Sequence, residues 1–237
     1  MFSIVIITKN EEEYLPGLLE SIRRQTLAPR EVIVADAGSE DRTREIARAF
    51  GCKIVEGGLP GPGRNRGAEA TQGDVLLFLD ADVQLEDPRF LEKAAAEMRE
   101  RGLDFASCDV VPLSDRVVDR AFHTFYNHYC RFLEPLRAHA PGFCIFARKK
   151  FHERLGGFDE SVVFCEDHDY AQRCRKIGRF GYLNSPKIHV SIRRFDRDGR
   201  LGIALKYALG ELHIMTLGPV RHQGFRYHFG YEKKEKV

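Results

Sequence analysis

The sequence predicts an α/β fold with a mostly parallel central sheet and helices on both faces, and three observations lead to it. Short β-branched apolar runs alternate with segments of helical periodicity through the first ninety residues. Polar residues gather just after those runs, where an open parallel sheet binds its ligands. The chain, at 237 residues with 43% hydrophobic and 30% charged side chains, has enough length for one globular domain with a substantial core.

Phe2–Thr8 is a β-branched run suited to a strand buried on both faces, and Tyr14, Leu15, Leu18, Leu19 and Ile22 then recur at helical spacing. Glu31–Asp36 reads as the second strand, residues 41–50 as a helix, 53–55 as the third strand, 64–71 as a short helix and 75–79 as the fourth strand. Asp87-Pro88 opens a further helix, because a first turn tolerates the missing proline N–H. This βαβα order implies parallel strands.

Beyond Arg101 the pattern is less regular. Residues 104–111 and 143–147 read as strands, and Lys149–Leu155 and Glu166–Ile177 as helices. Val117, Val118, Ala121, Phe122, Phe125 and Tyr129 form an aromatic helical stripe, expected to pack in the core or on the acceptor side. Leu201, Leu205, Ala208, Leu212 and Met215 form an amphipathic helix, and Phe225, Tyr227, Phe229 and Tyr231 precede a terminal EKKEKV. Residues 1–200 are therefore expected to form the main domain, and 201–237 a C-terminal helix and basic, aromatic tail able to contact a membrane surface peripherally.

Charge and cysteine content exclude several functions. The 37 Lys+Arg nearly cancel the 35 Asp+Glu, so the chain lacks the basic excess of an ordinary nucleic-acid binder. No apolar run is long enough to span a membrane, and no basic segment precedes the first apolar stretch, so a soluble cytoplasmic protein is expected. The six cysteines (Cys52, Cys108, Cys130, Cys144, Cys165 and Cys174) show neither CxxC nor zinc-type spacing and are expected to be free thiols.

The chemistry concentrates at strand ends. Thr8, Asn10 and Glu11 follow the first strand, Asp36, Gly38 and Ser39 the second, and Asp80-Ala81-Asp82 the fourth. Residues of these types also cap helices, but their coincidence at several strand ends favours a site. Asp80 and Asp82 offer the hard oxygen donors that suit Mg²⁺ or Mn²⁺. The loop at 57–63 is rich in glycine and allows close backbone approach to a ligand, with Arg64 beside it to hold phosphate, although neither a P-loop nor a GxGxxG fingerprint is present. A second acidic group, Glu166-Asp167-His168-Asp169, follows Gly156-Gly157-Phe158-Asp159. Spacing alone leaves open whether those acids serve a helix dipole or a general base.

The segments IVIITKNEEEYLPGLLESIRRQT, EVIVADAGSEDRT, GPGRNRGAEATQGDVLLFLDADV and GGFDESVVFCEDHDYAQRCRKIGRFGYL together resemble the family-2 glycosyltransferases with the A-type (GT-A) fold, a Rossmann-like architecture. The resemblance spans roughly residues 2–195 and implies an inverting transfer from a UDP- or GDP-type sugar nucleotide to the hydroxyl of a sugar or lipid-linked acceptor, as in cell-envelope polysaccharide or glycolipid synthesis. It further implies that Asp36 contacts the nucleobase, that Thr8, Asn10 and Glu11 border the nucleotide, and that Asp80 lies near ribose and metal. Asp82 would hold the Mn²⁺ or Mg²⁺, and Asp167, paired with Glu166, would be the general base. Related folds place a third metal ligand late in the chain, which makes His189 a candidate alongside a purely structural role. Arg193 and Arg194 are candidates for the diphosphate or an anionic acceptor, or else belong to a solvated basic loop. Two other classes compete: a catalytically silent nucleotide-sugar-binding scaffold, which the intact acids oppose, and a haloacid-dehalogenase-like phosphatase, which Gln84 two residues after Asp82 opposes.

Overall fold

The computed structural model describes residues 1–221, so the aromatic residues from Phe225 onward and the terminal EKKEKV lie outside the described residues. Eight strands form one sheet: β1 (Phe2–Thr8), β2 (Glu31–Asp36), β3 (Lys53–Glu56), β4 (Val75–Asp80), β5 (Val83–Gln84), β6 (Phe105–Pro112), β7 (Cys144–Arg148) and β8 (Phe180–Val190). Their order is β3-β2-β1-β4-β7-β6-β8-β5. The block β3-β2-β1-β4 is parallel, β7 runs antiparallel to β4 and β6, and β8 returns parallel to β6.

Every residue of β1 is buried, as its uninterrupted FSIVIIT run requires of a central strand covered on both faces. Alternation along β1 and β4 then sorts their side chains into two cores. Ile4, Ile6, Leu77 and Leu79 pack with α1 (Leu15–Arg23), α2 (Thr43–Ala49) and α4 (Phe90–Glu100), while Val5, Leu76 and Phe78 pack under α3 (Pro60–Glu69), α6 (Lys149–Leu155) and α7 (Glu166–Ile177). Register sets the site: Thr8 lies beside Asp36 and Ile7 beside Asp80, so the carboxyl ends of β1, β2 and β4 finish at one level.

The glycine-rich stretch is not the open loop expected from sequence. Helix α3 begins at Pro60, with both prolines in its first turn and Gly61 and Gly63 inside it. Its glycines permit close packing: a Cβ on Gly67 would sit 2.2 Å from Cγ1 of Val5, and one on Gly61 would touch Phe158 and Glu166. The smallness expected to admit a ligand instead seats α3 against the sheet.

Two apolar stripes also face the other way from the packed side. In α5 (Val117–Leu133) the buried residues are Asp119, His123 and Cys130, whereas Val117 is 82% and Phe125 71% exposed. Asp119 can be inside because Arg200 and Ser114 donate hydrogen bonds to its carboxylate. In α9 (Arg200–Leu217) Ile203, Gly210 and Ile214 are buried, and Leu201, Leu205, Leu212 and Met215 are exposed. Arg193 and Arg194, for which the sequence leaves a solvated basic loop as one of two readings, begin the short helix α8 (Arg193–Asp198). All six cysteines are free thiols, and among the described residues no helix is long and apolar enough to cross a membrane.

Candidate active site

One wall of the candidate site is built from the turns after β1 and β2. The Asp36 side chain is fully buried and accepts hydrogen bonds from Thr8 Oγ1 (2.9 Å), the Ser39 backbone N–H (3.0 Å), Ser39 Oγ (2.5 Å) and Arg44 Nε. Gly38, in the left-handed region at φ +77°, makes the turn that brings Ser39 back onto Asp36. Asn10, also left-handed at φ 55°, donates its N–H to Ser39 Oγ and accepts the Glu40 N–H on its side-chain oxygen. Burial alone would raise the Asp36 carboxyl, but the bonds from Ser39, Arg44 and Thr8 outweigh it and hold it below the usual carboxylate range. A carboxylate has about four acceptor positions, so any further donor reaching Asp36 must replace one of these; Arg44, partly exposed, is the most replaceable.

Arg64 ties the centre together. Its side chain is 2% exposed and donates from Nη1 to Glu166 Oε1 (2.6 Å) and from Nη2 to Asp80 Oδ1 (3.0 Å) and the Gly142 carbonyl (2.9 Å). The guanidinium also lies over the Phe158 ring, 5.4 Å from its centroid, and that ring stacks on Tyr170. The arginine assigned from sequence to phosphate is thus buried between two acids, joining the fourth strand to the helix that carries Glu166 and Asp167. Gly142 is fixed from both sides, since its N–H donates to Asp167 Oδ2 at 2.7 Å. Cys165, immediately before α7, adopts φ 57°, a left-handed conformation that costs a non-glycine residue energy and marks the turn presenting both acids.

A second arginine closes the other side. Arg193 donates from Nε to Asp82 Oδ2 (2.8 Å) and from its two terminal nitrogens to both oxygens of Glu11 (2.7 and 2.8 Å), and it lies over the Tyr14 ring. This bidentate pairing places Arg193 in the crevice rather than in a solvated loop.

In this cluster the acids outnumber the arginines. Glu11, Asp80, Asp82, Glu166 and Asp167 meet Arg64, Arg193 and the field of Arg194. Burial raises Glu11 to about 7 in spite of Arg193, with Asp82 and Asp80 adding to the rise. Burial, opposed by Arg64 and reinforced by Asp82, raises Asp80; burial and the Asp167 charge raise Glu166. With Asp82 bound by Arg193 through Oδ2, these carboxylates offer hard oxygen donors of the kind that suit a divalent cation.

His189 stands apart from these acids. Ladder pairing sets Gln84, not Asp82, across from it, its charged neighbours are Glu86 and Lys187, and it lines a groove with Asp109, Asn127 and Arg131. With Asp80 and Asp82 it does not form a group whose donor atoms lie within 4.8 Å of one another. Sequence reasoning also missed Gly142 and Phe158 as supports of Asp167 and Arg64. Their signals, PGF at 141–143 and GGF at 156–158, carry no charge and declare a role only through contacts made in the fold.

A family model described as glycosyl transferase family 2 matches residues 3–156. The 4,4'-diaponeurosporenoate glycosyltransferase of Staphylococcus haemolyticus is 38% identical over 113 residues, covering 43% of this chain and 30% of that protein. The chain thus spans under a third of that relative's length. Among solved structures, the mannosyltransferase of Pyrobaculum calidifontis in complex with GDP-Man and Mn²⁺ is similar over 97% of this chain and 65% of that one (TM-score 0.71, 19% identity). S. aureus TarS in complex with UDP-GlcNAc is similar over 80% of this chain and 58% of that one (TM-score 0.65, 22% identity). These likenesses agree with the GT-A architecture of the sheet. With the family match covering more than half its length, the chain belongs to glycosyl transferase family 2.

Proposed function

We propose that this chain transfers a sugar from a UDP- or GDP-type nucleotide-sugar to an acceptor hydroxyl by a single displacement that inverts the anomeric centre. The observation that carries the reading is the Arg64 bridge, which joins Asp80 of the strand end to Glu166, and through Gly142 to Asp167, in one crevice. Thr8, Asn10, Gly38, Ser39 and Asp36 form the nucleotide wall, with Glu11 at its edge. Asp82, with Asp80 behind it, would hold Mn²⁺ or Mg²⁺, which when bound neutralises charge developing on the departing diphosphate. A structural neighbour's complex with GDP-Man and Mn²⁺ supports that choice.

Asp167 is the base in preference to Glu166. Glu166 is committed to Arg64 at 2.6 Å, whereas Asp167 accepts from backbone N–H groups of Gly142 and His168 and retains acceptor capacity on both oxygens. As the acceptor oxygen bonds to the anomeric carbon, the bond from that carbon to the diphosphate breaks and the hydroxyl proton passes to Asp167. One displacement leaves the anomeric centre inverted. Arg193, anchored by Glu11 and Asp82, stands ready to exchange these carboxylates for the diphosphate.

The proposed acceptor is a sugar or a lipid-linked molecule. The exposed apolar faces of α5 and α9 support peripheral contact with the inner face of a membrane. A thermal-melting screen of UDP-, GDP- and dTDP-sugars with Mn²⁺ or Mg²⁺ tests the reading, since a donor at 100 times its Kd stabilises by about 2.7 kcal/mol. Asp82→Asn should abolish the metal-dependent part of that shift. Equal shifts in both proteins would contradict the assignment.

A further inference from the structure

Next to Asp167, three residues from three elements converge at the start of α7. His139 lies in the segment after α5, His168 in the first turn of α7 and Glu211 on α9. His139 Nε2 is 3.0 Å from Glu211 Oε1, and His168 Nδ1 is 3.6 Å from Oε2 of the same carboxylate. The imidazole rings lie 4.7 Å apart, and one donor atom from each residue falls within 4.8 Å of the others.

The hydrogen-bond pattern of His139 gives this cluster its meaning. Its side chain is fully buried, and its Nδ1 lies 2.9 Å from the Arg137 carbonyl oxygen, which can only accept. Nδ1 therefore carries a proton, and in a neutral imidazole the lone pair of Nε2 points at Glu211. Lone pair and carboxylate then face each other at 3.0 Å, an arrangement that is repulsive unless a positive centre lies between or beside them. His168 Nδ1 is a buried atom turned toward the other carboxylate oxygen at 3.6 Å, long for an ordinary hydrogen bond. An N–H to backbone carbonyl bond that fixes the tautomer of a ligating histidine is the usual outer support of a metal site.

We propose that His139, His168 and Glu211 bind a divalent cation of the zinc type, at a site distinct from the Asp82 site. Two imidazoles and one carboxylate suit a borderline cation better than Mg²⁺, which prefers oxygen donors throughout. Bonds of about 2.0–2.1 Å in tetrahedral geometry give donor separations of roughly 3.3 Å, and the two N–O distances bracket that value. A fourth position remains for water. The cation fastens α9 to the first turn of α7 beside Asp167, so it holds the catalytic turn without touching substrate. Arg137 Nη1, 3.7 Å from Glu211 Oε1, and the Tyr129 hydroxyl on the same carboxylate are the neighbouring groups, and the arginine is the cation's competitor.

The full chain, stripped with chelator, is titrated with Zn²⁺ by calorimetry and with Co²⁺ while visible absorption is recorded. The expected result is one site per chain, with the intense bands of four-coordinate Co²⁺, undiminished by Asp82→Asn and not displaced by excess Mg²⁺. Glu211→Gln, which keeps side-chain volume, and His139→Ala should each weaken binding by about a hundredfold or more. Arg137→Ala should tighten it. No Zn²⁺ binding at millimolar concentration, binding unchanged in Glu211→Gln and His139→Ala, or binding lost only in Asp82→Asn would overturn the proposal. The cluster would then be a doubly protonated His139 paired with Glu211. Because the readout is metal binding rather than sugar transfer, its outcome is independent of the donor-site assignment.

Discussion

Replacing Arg64 with methionine keeps much of the side-chain length and removes the charge that joins two halves of the crevice. Glu166 and Asp80 each lose a guanidinium contact, at 2.6 and 3.0 Å, and the Gly142 carbonyl loses its donor. Breaking a buried ion pair by removing one partner costs about 3–5 kcal/mol, because the remaining charge stays buried without compensation. For a chain of this size about 2 °C of melting temperature corresponds to 1 kcal/mol, so Arg64→Met should melt about 6–10 °C lower at pH 8. The sign of the pH dependence follows from the acids. Both already titrate above their unfolded values, and losing Arg64 moves them higher, so the folded variant holds protons that its unfolded chain has released. Its deficit relative to the wild type should therefore shrink as pH falls toward 5. Circular-dichroism melts of both proteins at pH 8 and pH 5 measure this. A variant that melts with the wild type at pH 8, or whose deficit grows in acid, would refute the bridging role.

Other consequences are equally direct. Gly67→Ala would place a methyl 2.2 Å from Val5 Cγ1, so α3 must lift off the sheet; a loss of about 1–3 kcal/mol or more is expected by chemical denaturation, and an unchanged midpoint would contradict the packing. Burial, helped by the Arg173 and Lys149 charges, lowers His152 to about 4, so the unfolded chain takes up this proton below about pH 6.5 while the folded chain does not. Stability should fall with pH through that window by up to about 3 kcal/mol, and His152→Gln should remove this component of the slope in denaturant titrations at pH 7 and 4.5.

The sequence carries the parallel half of the fold because its signals are local. The β1 run is apolar apart from Ser3 and Thr8, and charged residues at both ends of Glu31–Asp36 mark the second strand at its observed limits. Glu166–Ile177 is equally sharp, with an acidic first turn and a basic last one. Residues 57–63 misled because glycine signals an open loop and close helix-to-sheet packing alike. The stripes of α5 and α9 were visible as periodicity, but periodicity does not say which face turns inward; the ion pair between Arg200 and Asp119 allows a polar face to be the buried one. In the candidate site the acids were legible as motifs. Arg64 and Arg193 were legible as candidates for binding anions, but their pairing with these acids was not, since Arg193 is 111 residues from Asp82 and Arg64 is 102 from Glu166, distances along the chain that only the tertiary fold closes.

The central claim is that this crevice transfers sugar with Asp167 as the base. The most direct measurement is the rate of acceptor-dependent nucleoside diphosphate release by wild type and Asp167→Asn, each with its donor affinity, using the sugar nucleotide that most raises the melting temperature. A base that acts only as the hydroxyl attacks contributes to the transition state and not to donor binding, so the rate should fall by about 10²–10⁴ while the donor Kd stays nearly constant. An Asp167→Asn protein that is less stable yet releases product near the wild-type rate would contradict the account and make Asp167 a structural support of Gly142.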